Sequence, residues 1–396
     1  MKKHILTLLA MLLTLPMTAQ EYMAESQTYA QRLRLELDSL IAMSRTLRTS
    51  QVGLMVYDLT ADTALYMFNH RQAMRPASTM KLVTAIAAID RLGGSYQYRT
   101  TLYYTGRIAN RTLTGDLYCV GGMDPRFNTD DLMAFVESVR SLGIDTLRGR
   151  IVADRSFKEE ELLGEGWCWD DDNPVLTPLL LNRKDDLTER LAARLADSGA
   201  VVEAQLATGP LPAGAAFICQ RTHPIEQVLE KMMKESDNLY AEATFFQLAA
   251  AEGQRPAKAK NAANAVKRLI QKVGLAPSNY RIADGSGLSL YNYVSPELLT
   301  RLLRFAWRNK NISDCLMATL PIAGFDGTLK NRMKGDYTCG NVRAKTGTLT
   351  GISSLAGYCT AANGHELCFT IINQGVLRTN DGRTFQDRVC RVLCER

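Results

Sequence analysis

The sequence has only four histidines, at 4, 70, 223 and 365, and none of its nine cysteines stands in a Cys-x-x-Cys spacing. A zinc site built from such ligands is therefore not expected, and the chain calls for no other metal or cofactor. Long apolar runs are missing beyond the first residues, so no segment of the mature chain is expected to span a bilayer. Charge of one sign is not in large excess. There are 47 Lys and Arg against 41 Asp and Glu, a formal +6, and the basic residues are scattered instead of running together with aromatics. That pattern excludes nucleic acid as a partner. Low-complexity segments and internal repeats are also absent. What remains is an ordinary globular composition, 46% hydrophobic over 396 residues, enough for two or three domains with a substantial core.

The start is distinctive. Met1-Lys2-Lys3-His4 precedes an apolar run over 5–15, then Pro16-Met17-Thr18-Ala19. A basic start, a short apolar stretch and a small residue predict a secretory signal peptide cut near Ala19. The run is too short for a spanning helix, and no cysteine near the cut suggests a lipid anchor. In an exported chain nine cysteines invite disulfides. If Asn363-Gly364 forms a two-residue hairpin turn, Cys359 falls opposite Cys368, in a non-hydrogen-bonded pair where side chains come closest. A disulfide there and two buried free thiols are both open. Cys390 and Cys394, four apart on a predicted helix, are expected to face the core.

The chemistry begins at Arg75-Pro76-Ala77-Ser78-Thr79-Met80-Lys81, ahead of an apolar run to Ile89. Pro76 suits a helix start, and residues three apart share a helix face. Ser78 and Lys81 would lie side by side where backbone N–H groups favour negative charge. That is what a serine nucleophile needs: an amine to take its proton and a donor for the oxyanion. Two further motifs follow in order, Ser236-Asp237-Asn238 and Lys345-Thr346-Gly347. Singly they read as a helix cap and a strand entering a turn. Together with Ser78-x-x-Lys81 they form the trio shared by class A β-lactamases and penicillin-binding proteins. Ser236 can relay a proton to the leaving amine, and Asn238 can bind both a lysine and a substrate carbonyl. Lys345 and Thr346 offer a cation and a hydroxyl for a terminal carboxylate. Lys345 could also depress the Lys81 pKa as a second cation. Gly347 leaves room for a substrate backbone along its strand, and the N–H groups of Ser78 and Thr348 would form the oxyanion hole.

Around the motifs, periodicity predicts a helix over 27–46, strands over 51–59 and 63–70, and a buried helix from Ser78 to Gly93-Gly94. Texture changes near Tyr96. Strand-like stretches over 98–105, 111–120 and 146–153, with a helix over 185–198, mark an inserted, mainly β domain over 96–223. Helices over 224–234, 239–251 and 296–308 follow, then strands over 344–359 and 367–373 and a last helix over 384–393. The expected fold is α/β: residues 20–95 and 224–396 build one sheet-and-helix domain around the insertion.

Gly115-Asp116-Leu117, Gly121-Gly122-Met123-Asp124-Pro125, Trp167-Cys168-Trp169-Asp170-Asp171, Ser236-Asp237-Asn238-Leu239-Tyr240-Ala241-Glu242, Asp284-Gly285-Ser286-Gly287-Leu288-Ser289 and the stretch from Leu320 to Leu329 extend the trio. With them the chain resembles, over nearly its whole mature length, the D-alanyl-D-alanine carboxypeptidase/endopeptidase family of class C low-molecular-mass penicillin-binding proteins, peptidase family S13. The resemblance implies a β-lactamase/transpeptidase-like domain and a periplasmic serine enzyme acting on peptidoglycan stem peptides. Such an enzyme trims the terminal D-Ala or cuts the D-Ala–diaminopimelate cross-link, and β-lactams acylate its serine. It implies Ser78, Lys81, Ser236 and Asn238 as catalytic and Lys345, Thr346, Gly347 and Thr348 as substrate-binding. One departure stands out. Family members usually nest a third domain in the insertion, and the short step from Asn182-Arg183 to Asp185 leaves no room for it. The alternatives are a β-lactamase, which would carry a deacylating Glu-x-x-Asn that is not found after Asn238, and a silent penicillin-binding sensor.

Overall fold

A computed structural model describes residues 19–171, 173–253, 255–335 and 337–395. The expected leader, over 1–19, lies outside the described residues except for Ala19, which opens α1. In chain order the helices are α1 (Ala19–Met43), α2 (Met80–Leu92), α3 (Thr129–Ser141), α4 (Leu187–Asp197), α5 (Ile225–Lys234), α6 (Asn238–Ala250), α7 (Ala259–Lys272), α8 (Pro296–Arg308), α9 (Lys310–Thr319) and α10 (Thr379–Cys394). The strands are β1 (Gln51–Asp58), β2 (Thr63–Phe68), β3 (Gln97–Tyr104), β4 (Arg107–Ala109), β5 (Thr112–Thr114), β6 (Leu117–Val120), β7 (Thr146–Asp154), β8 (Val201–Thr208), β9 (Ala216–Pro224), β10 (Arg343–Leu349), β11 (Ile352–Thr360) and β12 (Glu366–Gln374).

One antiparallel sheet, in the order β10-β11-β12-β1-β2, carries helices on both faces. Leu355 and Cys359 of β11 face one way, into a core with Leu33 and Leu37 of α1 and Phe385 and Val389 of α10. Ala356 and Tyr358 face the other way, into a larger core with α2, α5, α6, α7 and α8. The α2 sequence explains its place. It is apolar on all sides, and every residue from Met80 to Ile89 is buried, so it can only sit in the middle of a domain.

The second sheet is mixed. β3 pairs with β6 and β9, while β5 and β6 take successive halves of one edge of β7 and β8 takes its other edge. α3 and α4 cover one face with Phe135, Val136, Leu187 and Leu191. The strands that enter and leave this unit, β3 and β9, lie side by side, and Ile225 N donates to Tyr96 O at 2.9 Å. The insertion is thus clasped at its root. Sequence periodicity missed α3, although its start was written in Asn128 and Asp131, which bond reciprocally as a capping box. It also missed α7, β8 and β9. The stretch 111–120 is two short strands, broken at Gly115.

Two expectations about the C-terminal strands need correction. The predicted strand over 344–359 is a hairpin, β10 and β11, turning at Thr350-Gly351, where Gly351 has φ +74°. The turn at Asn363-Gly364 is wider than two residues. Thr360 pairs with Glu366, and Ala361 N bonds to His365 O at 2.8 Å. That shifts the register by one residue, so Cys359 opposes Leu367 and Cys368 opposes Tyr358. A one-residue shift sends the two thiols to opposite faces. All nine cysteines are free, and Cys390 and Cys394 are buried in the core as expected.

Candidate active site

The three motifs, more than 260 residues apart at their extremes, meet where α2, the α5–α6 loop and β10 converge. Ser78 stands in the 3-10 turn Ala77–Thr79, directly before α2. Ala77 ahead of it has φ +48°, a left-handed conformation that costs a non-glycine residue about 1–2 kcal/mol. Tight packing holds this turn. Pro76 O accepts from Ser354 Oγ at 2.6 Å and from Thr79 Oγ1 at 2.7 Å. A Cβ added to Gly347 would come within 2.1 Å of Ser354 Oγ and 2.7 Å of Pro76 O. Gly347 is therefore needed to seat β10 against the serine turn, a different reason from the room for substrate that its sequence suggested.

Lys81 is wholly buried. Its Nζ donates to Ser78 Oγ at 3.0 Å, to Asn238 Oδ1 at 2.8 Å and to Ser286 O at 2.8 Å. Burial pushes its pKa down to about 8, against the opposing pull of Asp284, Glu242 and Asp237. The expected cause, Lys345 as a neighbouring cation, is not the one at work on Lys81. The reverse influence exists: burial, then the Lys81 charge, holds Lys345 well below its usual range. Lys345 is also buried, and its Nζ donates inward to Ser236 Oγ at 2.8 Å and to Thr346 O at 2.9 Å. Ser236 has φ +62°. Asp237, between the two polar residues of its motif, caps α6 by accepting from Tyr240 N and pairs with Arg183 of the inserted unit. Asn173, Arg183, Ser236, Asp237 and Asn238 line a cleft of about 360 Å³.

β10 is an edge strand. Its hairpin turn fixes Leu349 and Ile352 as a hydrogen-bonded pair, so the N–H groups of Thr348, Thr346 and Ala344 point away from β11. Ala344 N verifies this phase by donating outward to Pro321 O at 3.0 Å. The Thr346 and Thr348 amides are then the outward donors of an open edge beside Ser78. Such an edge can receive an extended peptide as an added strand.

Two acids behind Lys81 carried no role in the sequence reading. Glu242 Oε1 accepts from Ser286 N at 2.7 Å and Gly285 N at 3.1 Å. Asp284 accepts from Trp167 Nε1 at 2.9 Å, Ser289 N at 2.6 Å, Gly287 N at 2.8 Å and Asn292 Nδ2 at 2.6 Å. They shape the loop whose Ser286 carbonyl receives Lys81. Burial, with the Asp284 charge beside it, pushes the Glu242 carboxyl up to about 8. Their signal lay in the Ser236-to-Glu242 and Asp284-to-Ser289 stretches themselves. Among the described residues no group of His, Cys, Asp or Glu is arranged to hold a metal ion, and no helix is long and apolar enough to cross a membrane. Chemically, the site offers a hydroxyl beside a buried amine, a second hydroxyl–amine pair across the cleft, and backbone donors along an open strand.

Comparison with known proteins gives a consistent result. The profile of the D-Ala-D-Ala carboxypeptidase 3 (S13) family matches residues 33–179 and 176–395. The D-alanyl-D-alanine carboxypeptidase DacB of Haemophilus influenzae is 27% identical over 405 residues, covering 81% of this chain and 84% of that protein. The D-alanyl-D-alanine carboxypeptidase of Actinomadura sp. is 27% identical over 473 residues, covering 92% and 86%. In fold, the crystal structure of penicillin binding protein 4 (dacB) from H. influenzae superposes with a TM-score of 0.79 at 24% identity, over 89% of this chain and 99% of that one.

Proposed function

Since the chain belongs to the D-Ala-D-Ala carboxypeptidase 3 (S13) family, we propose that it is a serine-type D-Ala-D-Ala carboxypeptidase in which Ser78 is the residue acylated. The observation that carries this reading is the 3.0 Å contact between Lys81 Nζ and Ser78 Oγ, with Lys81 buried and its pKa down to about 8. A lysine so poised is neutral for part of the time near neutrality and can accept the serine proton.

The stem peptide lies along the edge of β10. Ser78 Oγ attacks the carbonyl of the penultimate D-Ala as its proton passes to Lys81. The N–H groups of Ser78 and Thr348 receive the oxyanion. Asn238 orients Lys81 and donates to the peptide. Ser236, hydrogen-bonded to Lys345, passes a proton to the departing amine of the terminal D-Ala, and Thr346 and Thr348 receive that residue's carboxylate. Water then releases the acyl group from Ser78. A D-Ala–diamino acid cross-link presents the same bond, so endopeptidase action is the second outcome of the same chemistry. β-Lactams acylate Ser78 and are released slowly. The relative in H. influenzae, solved in complex with a β-lactam, supports this. A cell-wall substrate and the expected leader support a periplasmic location.

The test is labelling with a fluorescent penicillin. Wild type takes a long-lived label and Ser78→Ala takes none. A folded wild type that takes no label overturns the reading, and a label lost within seconds makes the chain a β-lactamase.

A further inference from the structure

The departing amino acid carries a carboxylate one carbon from the scissile nitrogen, and an enzyme specific for it needs a cation there. Lys345 is poorly placed for this. It is wholly buried, and its Nζ is committed to Ser236 Oγ and Thr346 O. Burial and the nearby Lys81 also disfavour its charged form. The outer surface of β10 offers hydroxyls instead, Thr346, bonded to Thr328 Oγ1 at 2.8 Å, and the exposed Thr348.

We infer that Arg383, near the start of α10, is the cation that reads the leaving-group carboxylate beside Thr348, a specificity-determining residue of the carboxypeptidase proposed above. The inference rests on that reading. Arg383 Nη2 lies 3.5 Å from Thr348 Oγ1, a long contact that puts the guanidinium within reach of anything bound to that hydroxyl. Its position is fixed by packing. Gly382 is buried, and a Cβ there would come within 2.7 Å of Ser353 Cβ; Ser353 is the register partner of Thr348. The start of α10 is thus locked behind the outer end of the edge strand. Arg383 is exposed and makes no ion pair among the described residues. The carboxylate one helical turn on, Asp387, is held by Arg332 at 2.6 Å, and Arg332 also binds the Arg383 carbonyl at 3.3 Å. The guanidinium is left without an acidic partner among the described residues and is forked for a carboxylate.

The experiment measures steady-state hydrolysis of an acyl-D-Ala-D-Ala peptide and of the same peptide ending in a carboxamide, by wild type, Arg383→Ala and Arg383→Lys. Wild type prefers the free acid. Arg383→Ala raises KM for the acid about 10-fold, with kcat less affected and the amide nearly unchanged, so the preference collapses. Arg383→Lys recovers part of it. A merely structural residue would lower activity on both peptides together. If Arg383→Ala keeps the wild-type preference, or wild type shows none, the inference is wrong. Failure of the underlying serine reading looks different: wild type then hydrolyses neither peptide and takes no penicillin.

Discussion

The two sheets of this protein use buried charge in different ways. Around the five-stranded sheet, Lys81, Lys345, Glu242 and Asp284 are all at most 1% exposed, and their bonds run to one another's neighbours in a single site. In the inserted unit the buried acids hold turns and a helix start: Asp131 accepts from Asn128 N in the capping box and Asp154 accepts from Ser156 N and Leu211 N. Other ion pairs of this unit are at the surface. Arg148 pairs with Glu203 at 2.7 Å with both side chains about half exposed, and Arg150 pairs with Asp116 at 2.7 Å. Its hydrophobic core is built mainly of Leu, Phe, Ile and Val. Burying an ion costs several kcal/mol that apolar residues of the same volume would not, so both units give up stability, the one to gather two amines and two acids in one site and the other to fix its turns. The difference separates residues present for chemistry from residues present for the fold.

Substitutions in each unit can break that comparison. The largest effect belongs to Lys81. Lys81→Met should lower the rate of penicillin acylation about 10³-fold, read by stopped-flow label incorporation. In wild type the same measurement against pH should show an ascending limb near pH 8. Lys81 must shed its proton before it can accept one from Ser78, so the rate climbs as pH rises toward about 8 and levels above it. A flat profile from pH 6 to 9 would remove Lys81 as the base.

Next comes the apolar interior of the inserted unit. Phe135 is fully buried against Phe127, with ring centroids 5.2 Å apart. Phe135→Ala should cost about 3–5 kcal/mol of stability in denaturant titration, while the folded fraction acylates at the wild-type rate. A loss of acylation in the folded protein would show that the inserted unit shapes the site through more than its Arg183–Asp237 contact. The smallest effect is at the surface. Arg148→Ala should change stability by no more than about 0.5 kcal/mol and leave acylation alone.

Much of the catalytic unit was legible because its signals are local. Ser78 and Lys81 are three apart on one turn, Asp237 and Asn238 open a helix, and the helix over 296–308 was bounded in the sequence by Pro296 and Arg308. What was not legible depends on distance or on a single residue of register. Glu242 and Asp284 meet only through tertiary packing, 42 residues apart. The Asn363-Gly364 loop holds more residues than its dipeptide signals, which was enough to separate Cys359 from Cys368. Lys345 was recognised from its motif, but the inward turn of its ammonium rests on a bond to Ser236 Oγ, 109 residues away in the sequence. The packing of Gly347 against Pro76 and Ser354 was likewise not legible in its motif.

The central claim is that the buried amine of Lys81 makes Ser78 the acylated residue. Mass spectrometry of the intact protein after brief exposure to benzylpenicillin, followed by peptide mapping, tests it most directly. The account predicts one penicilloyl group per chain, on the peptide containing Ser78, and no adduct in Lys81→Met over the same interval. An adduct on another residue, or equal labelling of Ser78 without Lys81, would contradict it.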